Sequence, residues 1–299
     1  MCIRDSEHPG VVPVYGLGTY ANGRPFYAMR FIQGDSLKDV IARFHNPASE
    51  QTAGSDRSVQ FRNLLGRFVS VCNALAYAHA RGVLHRDVKP ANIIVGDYGE
   101  TLVVDWGLAK ATGLSDPESS ELTLRPTQSS SGSGDQVTQG VVGTPAYMSP
   151  EQARGEITSL SAATDIYALG ATLYSMLTGR PPFEGKNVQE LLEKVKRSDF
   201  QAPRSFDSTI SPVLEAVCLK AMAAKPEDRY GSCKALAADV ERWLADEPVT
   251  ARPEPLAEKA RRWVKKHRTL VTAAGVALVV GLVGVGGIAA VQTLSLIHI

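Results

Sequence analysis

The stretch that most constrains this chain is His85-Arg86-Asp87-Val88-Lys89-Pro90-Ala91-Asn92, followed thirteen positions later by Asp105-Trp106-Gly107. Between them lie two apolar runs, Ile93-Ile94-Val95 and Leu102-Val103-Val104, separated by Gly96-Asp97-Tyr98-Gly99. Branched apolar runs on either side of a Gly/Asp turn predict a pair of antiparallel strands. Such a hairpin carries Asn92 and Asp105 to the same end. The fold must therefore hold an amide and a carboxylate side by side, with Asp87 in the loop leading in. Taken singly, each of these residues is an ordinary turn or loop residue.

Together, the pattern H-R-D-x-x-x-x-N and the D-x-G after it resemble the catalytic loop and metal-binding motif of protein kinases. Phosphoryl transfer asks a protein to position ATP, neutralise charge on magnesium-bound phosphates and orient one hydroxyl. The resemblance implies that Asp87 is the catalytic base, that Asn92 and Asp105 are the Mg²⁺ ligands, and that Lys89 reaches the γ-phosphate of ATP. A Lys at that place is similar to Ser/Thr rather than Tyr kinases. His85, Arg86, Trp106 and Gly107 complete the motifs. Trp106 stands where Phe is usual, which changes the ring whose packing sets active and inactive states.

A second block, Gly143-Thr144-Pro145-Ala146-Tyr147-Met148-Ser149-Pro150-Glu151, resembles the end of a kinase activation segment, with Ser-Pro-Glu in place of Ala-Pro-Glu. By that resemblance Thr144 bonds Asp87 and Lys89 and helps seat a Ser or Thr substrate. Glu151 needs a buried partner, since an isolated interior carboxylate is costly, and Arg229 matches the family's partner for it. Asp165 alone would serve as a helix N-cap; the resemblance makes it the residue that pins the catalytic-loop backbone. Residues 115–140 are rich in Ser, Thr and Gly, and composition alone makes them a mobile loop. As an activation loop, it would take a phosphate at Thr138 that pairs with Arg86; an inert insert is the alternative.

Upstream, His8-Pro9-Gly10 predicts a loop, and residues 11–20 and 25–32 predict paired strands about an Asn22-Gly23 turn. In kinases the second strand ends at the adenine hinge. The resemblance implies Met29 as gatekeeper, with the Arg30 carbonyl and the Ile32 N–H facing adenine. Periodicity predicts helices over 35–43, 59–81, 163–178, 187–196, 211–223 and 233–245. The second carries Phe61, Leu64, Leu65, Phe68, Val69, Cys72, Leu75 and Ala76 on one face, as core packing.

A net charge of +1 excludes a global bias toward nucleic acid. Cys72, Cys218 and Cys233 are scattered without a C-x-x-C pair, as expected of buried reduced thiols in a cytoplasmic domain. Residues 269–291 hold no charge and are rich in Val, Ala, Gly and Leu. That length suffices to cross a hydrocarbon core of about 30 Å. Lys259, Arg261, Arg262, Lys265, Lys266 and Arg268 precede it, and the positive-inside rule puts them in the cytoplasm. The expectation is a single-pass anchor in the plasma membrane with a cytoplasmic kinase domain.

The two ends are unlike the rest. Residues 1–6 are what ATGTGTATAAGAGACAG plus one base encodes, and residues 294–299 are what its reverse complement encodes. That DNA resembles a transposase mosaic end, so both tails are excluded from fold reasoning as processing scars, and the natural chain is expected to extend in both directions.

The resemblance, to bacterial membrane-anchored Ser/Thr kinases, covers residues 7–291. It implies an α+β, two-lobed kinase fold: a small-lobe remnant and hinge over 7–32, a mostly helical large lobe over 33–247 with its activation segment at 105–151, a basic linker over 248–268, and a transmembrane helix over 269–291. ATP and Mg²⁺ are the implied cofactors. The implied partners are proteins bearing Ser or Thr, the membrane, and a second copy for trans-autophosphorylation. The 299 residues contain no Gly-rich phosphate loop and no V-A-x-K strand, so the chain as written is expected to be inactive. Two rival readings stand beside it. One is a pseudokinase scaffold; the other is a small-molecule phosphotransferase, which gives no reason for Lys89 or for residues 143–151.

Overall fold

The computed structural model describes residues 8–22, 25–46, 57–106, 110–111 and 145–253, with Lys259, His267, Thr272 and Gly281. The chain divides into two units, Met1–Arg252 and Pro253–Ile299. In the second, Lys259, Thr272 and Gly281 are helical and exposed. The rest of 269–291 and both adapter-like tails lie outside the described residues. Among the described residues, no helix is long and apolar enough to cross a membrane.

The first unit opens with the expected hairpin, strands β1 (Val14–Thr19) and β2 (Pro25–Met29), paired antiparallel with an irregularity between Val14 and Gly16. Residues before it tie the hairpin to the rest. Val11 bridges Val103 in parallel, and the Val103 N–H donates to the Gly10 carbonyl at 2.9 Å. A Cβ on Gly10 would sit 2.9 Å from the Ala74 Cβ, so this close approach admits only glycine without a shift.

Strand β3 (Asp35–Ser36) runs directly into helix α1 (Leu37–His45), whose N-cap Ser36 accepts from the Asp39 N–H at 3.2 Å. Periodicity alone starts this helix at residue 35. The chain instead pairs Asp35 and Ser36 with Val95 and Ile94, a long-range pairing that overrides local helix preference. Helix α2 (Arg57–His79) buries Leu64, Leu65, Phe68, Val69, Cys72 and Leu75 as its stripe predicts. It ends two residues earlier than expected, at a turn whose Gly82 has φ 71°. Strand β4 (Val83–Leu84) follows. Strands β5 (Ile93–Val95) and β6 (Thr101–Val103) form the predicted antiparallel hairpin, with Ile93 opposite Val103. With β3 they make a sheet of order β3-β5-β6, and β4 pairs with β7 (Lys110–Ala111).

The remainder is helical: α3 (Pro150–Ala153), α4 (Ala162–Thr178), α5 (Val188–Arg197), α6 (Pro212–Ala221) and α7 (Cys233–Leu244). Every residue of α4 from Thr164 to Leu177 is buried, as expected of a helix apolar all round at the centre of a helical layer. Gly170 lets α6 approach it, since a Cβ there would meet the Ala221 Cβ at 2.8 Å. Cys72, Cys218 and Cys233 are buried and reduced, as expected.

The packed unit runs slightly past the sequence-based boundary at 247. Asp239, fully buried, accepts hydrogen bonds from the Thr250 N–H (2.8 Å) and hydroxyl (2.8 Å), the Ala251 N–H (3.0 Å), the Tyr230 hydroxyl (2.9 Å) and Arg242 (2.7 Å). One carboxylate thus fastens residues 250–251 back onto α7.

Candidate active site

The loop between β4 and β5 brings the motif residues together. Asp87 Oδ2 accepts from Lys89 Nζ at 2.6 Å and from Asn92 Nδ2 at 3.1 Å, and Asn92 Nδ2 also donates to the Asp87 carbonyl at 2.9 Å. Asp87 and Asn92 are buried, at 8% and 7% exposure. On the facing strand, the Val104 N–H donates to the Asn92 carbonyl at 2.9 Å, which places Asp105 one residue beyond Asn92 at the same end of the hairpin. Asp105 is exposed and has φ 62°, in the left-handed region. A non-glycine residue there costs about 1–3 kcal/mol and persists only where its surroundings enforce it.

These residues fit Mg²⁺. Both hydrogen bonds of the Asn92 amide are made by its nitrogen, which leaves Oδ1 for a hard cation, and the Asp105 carboxylate faces solvent. Mg²⁺ is typically held by one or two protein oxygens plus phosphates and water. Among the described residues, no cluster of three or more His, Cys, Asp or Glu is placed to hold a metal.

His85 is a fixed, neutral support. Its Nε2–H donates to the Val104 carbonyl at 3.0 Å, while its Nδ1 accepts from the Asp87 N–H at 3.3 Å. Burial pushes its imidazole below the ordinary value against the pull of Asp165 and of the Val104 hydrogen bond, in keeping with a neutral ring whose bare Nδ1 accepts from Asp87. Trp106 packs against it, the ring centroids 4.6 Å apart and the planes tilted by 56°, and donates its indole N–H to the Val103 carbonyl at 3.0 Å. That bond is one the usual Phe could not make.

Asp165 does not cap its helix; the N-cap of α4 is Ser161, in a capping box with Thr164. The Asp165 carboxylate faces the catalytic loop instead. Oδ2 accepts from the His85 N–H at 2.9 Å and Oδ1 from the Arg86 N–H at 2.7 Å. Arg86 has φ 70°, so these bonds hold a strained turn. His79 at the end of α2 approaches Asp165 Oδ2 at 2.7 Å, and the Cys233 thiol lies 3.6 Å from its other ring nitrogen. Burial would raise the Asp165 carboxyl; the His79 hydrogen bond leads the effects that hold it below the ordinary range.

Glu151 and Arg229 pair as expected, in a two-pronged contact at 2.7 and 2.9 Å, with side chains 3% and 0% exposed. Thr164 donates to Glu151 at 3.1 Å, while Arg229 also reaches the carbonyls of Ala163 and Ala223, each at 2.8 Å. Burial would raise the Glu151 carboxyl, and Arg229 holds it down. The neighbouring Gln152 donates to the Arg86 carbonyl at 2.7 Å. Sequence reasoning missed His79, Cys233 and Gln152. Only Gln152 left a local signal, the capping pattern S-x-x-Q from Ser149.

Arg30 and Ile32 line a space of about 170 Å³ together with Val11, Val12 and Leu102; among the described residues, none of 85–92 contributes to it. The Arg30 N–H donates to the Pro13 carbonyl at 3.2 Å, and Met29 is 43% exposed. Gly107, Thr138 and Thr144 lie outside the described residues.

Acidification is expected to destabilise the fold in two stages. Above pH 6.5, the ordinary value, His85 is neutral in both states; as pH falls from there toward its depressed folded value, the unfolded chain takes up a proton that the folded one refuses. Glu151, Asp165 and Asp239 are all held below their ordinary 4.5, 3.8 and 3.8, so their stabilisation is present above those values and lost as pH falls through the folded ones. Urea midpoints at stepped pH should decline from 6.5 downward and steepen below about 4. A flat profile between 6.5 and 4.5 would contradict the neutral assignment of His85.

A protein kinase domain model matches residues 1–240. The serine/threonine-protein kinase PknD of Protochlamydia amoebophila is 35% identical over 239 residues, covering 79% of this chain and 24% of that protein. PknB of Mycobacterium tuberculosis is 35% identical over 260 residues, 85% of this chain and 36% of its own length. A probable serine/threonine-protein kinase of Streptomyces coelicolor is 33% identical over 248 residues, 82% and 32%. The chain thus spans 24 to 36% of the length of these relatives.

Proposed function

The chain belongs to the protein kinase domain family, and on that premise we propose that it carries the catalytic large lobe of a serine/threonine protein kinase. The observation that carries this reading is the bonded cluster of Asp87, Lys89 and Asn92 beside Asp105. Asp87 accepts the hydrogen bond of the substrate hydroxyl and takes its proton as the hydroxyl oxygen bonds to the γ-phosphorus and the bond from that phosphorus to the β–γ bridging oxygen breaks, releasing ADP. Lys89 supplies positive charge toward the γ-phosphate, and Thr144 seats the Ser or Thr. Asn92 and Asp105 hold Mg²⁺, which neutralises charge on the ATP phosphates when bound. Met29 and the backbone of Arg30 and Ile32 meet adenine.

Two further features extend the proposal. Arg86 Nε is buried without a hydrogen-bond partner among the described residues. A phosphate on Thr138 would supply one, ordering the activation segment after phosphorylation by a second copy. The uncharged run at 269–291 behind six basic residues supports a single-pass anchor with the kinase facing the cytoplasm.

Because the 299 residues contain neither a Gly-rich phosphate loop nor a V-A-x-K strand, the chain alone is expected to transfer phosphate negligibly. Joined at His8 to the small lobe of a bacterial relative, it should label Ser and Thr, not Tyr, of a generic protein substrate, and only with Mg²⁺. The assay is γ-phosphate transfer by both forms. A chimera that binds Mg²⁺-ATP yet transfers nothing would support the pseudokinase scaffold instead; a chain that works unaided would overturn the expected inactivity.

A further inference from the structure

We propose that Gln152 is a positioning residue that fixes the peptide group immediately before Asp87 and so couples the seat of α3 to the catalytic base. The inference deepens the kinase reading and rests on it only for what Asp87 does.

Gln152 is the third residue of α3 and is 8% exposed. Its Oε1 accepts from the Ser149 N–H at 3.1 Å and the Ser149 hydroxyl at 3.3 Å, closing a capping box. Its Nε2 donates to the Arg86 carbonyl at 2.7 Å. The amide cannot be turned the other way, because a backbone N–H needs the oxygen and a carbonyl needs the nitrogen. A capping box asks only for an acceptor, which glutamate supplies as well. The amide nitrogen therefore does something the cap does not require.

What it grips is the 86–87 peptide. That peptide's carbonyl accepts from Gln152, and its N–H donates to His85 Nδ1 at 3.3 Å. One residue back, the Arg86 N–H is held by Asp165 at 2.7 Å. Arg86 stays at φ 70° because the peptides on both sides of it are fixed. Asp87 takes its direction from the second of them. Next to Gln152, Glu151 is clamped by Arg229, so the placement of residues 149–153 reaches the base through one amide.

The test reads that peptide in the full 299-residue chain, held in micelles and labelled with ¹³C′-Arg and ¹⁵N-Asp. The dipeptide Arg-Asp occurs only at 4–5 and 86–87, so the 86–87 signal is nearly alone. In Gln152→Glu, which keeps the cap and loses the donor, the Arg86 carbonyl resonance should move upfield and the Asp87 amide should exchange about tenfold faster or more. In Ser149→Ala, which loses the cap and keeps the donor, the thermal midpoint should fall while that resonance stays. An unmoved Arg86 carbonyl in Gln152→Glu, or an equal shift in Ser149→Ala, would overturn the proposal. Should Gln152→Glu not fold, Gln152→Met is read the same way with the same consequence. The readout uses no nucleotide, so its failure and a failure of phosphate transfer are separable.

Discussion

Replacing Arg229 by leucine is expected to lower the unfolding free energy by about 3–5 kcal/mol, the cost of leaving a buried charge without its partner. Glu151 is 3% exposed, and its two oxygens both face the guanidinium. Leucine would also remove the hydrogen bonds that Arg229 donates to the carbonyls of Ala163, Ala223 and Ala224 and the cation lying 4.9 Å over the Tyr167 ring. Because Gln152 follows Glu151, the loss should spread from α3 to the catalytic loop. The Arg229→Leu/Glu151→Leu double variant should recover part of the stability, since replacing a buried ion pair by apolar groups costs less than breaking it. Urea unfolding of the two variants checks this. A single variant within about 1 kcal/mol of the parent would place the pair among weak surface bridges, against its burial.

How much of this was legible in the sequence depends on the range over which each signal acts. Strands β5 and β6 and helices α2 and α4 to α7 announced themselves through local periodicity, and their observed bounds differ from the expected ones by a few residues at most. Helix α1 started late because Asp35 and Ser36 were claimed by a strand pairing with Ile94 and Val95, which nothing local encodes. Asp165 and the Glu151–Arg229 pair were nameable only through resemblance; the geometry then supplied their partners. His79 and Cys233 escaped because their contacts span the chain, His79 to Asp165 across 86 residues and Cys233 to His79 across 154, through faces of α2 and α7 that look like ordinary core. The left-handed conformations of Arg86 and Asp105 were hidden for another reason. Neither residue type demands φ above zero, so the surroundings impose it. Gln152 was readable and overlooked, since its capping pattern lies inside a helix of four residues, too short for periodicity to reveal.

On the proposed roles, with Asp87 the base and Asn92 and Asp105 the metal ligands, the Asp87→Asn variant separates proton transfer from metal binding. Asparagine keeps the shape of the side chain and a carbonyl oxygen toward Lys89 and Asn92, the present donors at 2.6 and 3.1 Å, but cannot take up the hydroxyl proton. A positioned general base typically contributes 10²–10⁴-fold. The metal oxygens are untouched. The decisive measurement is phosphate transfer and Mg²⁺-ATP affinity, side by side, for Asp87→Asn in the chimera carrying a complete small lobe. With Asp87 as the base, transfer should fall by about 10²–10⁴-fold with affinity held within about twofold. Transfer at the parent rate, or affinity collapsing together with transfer, would contradict it.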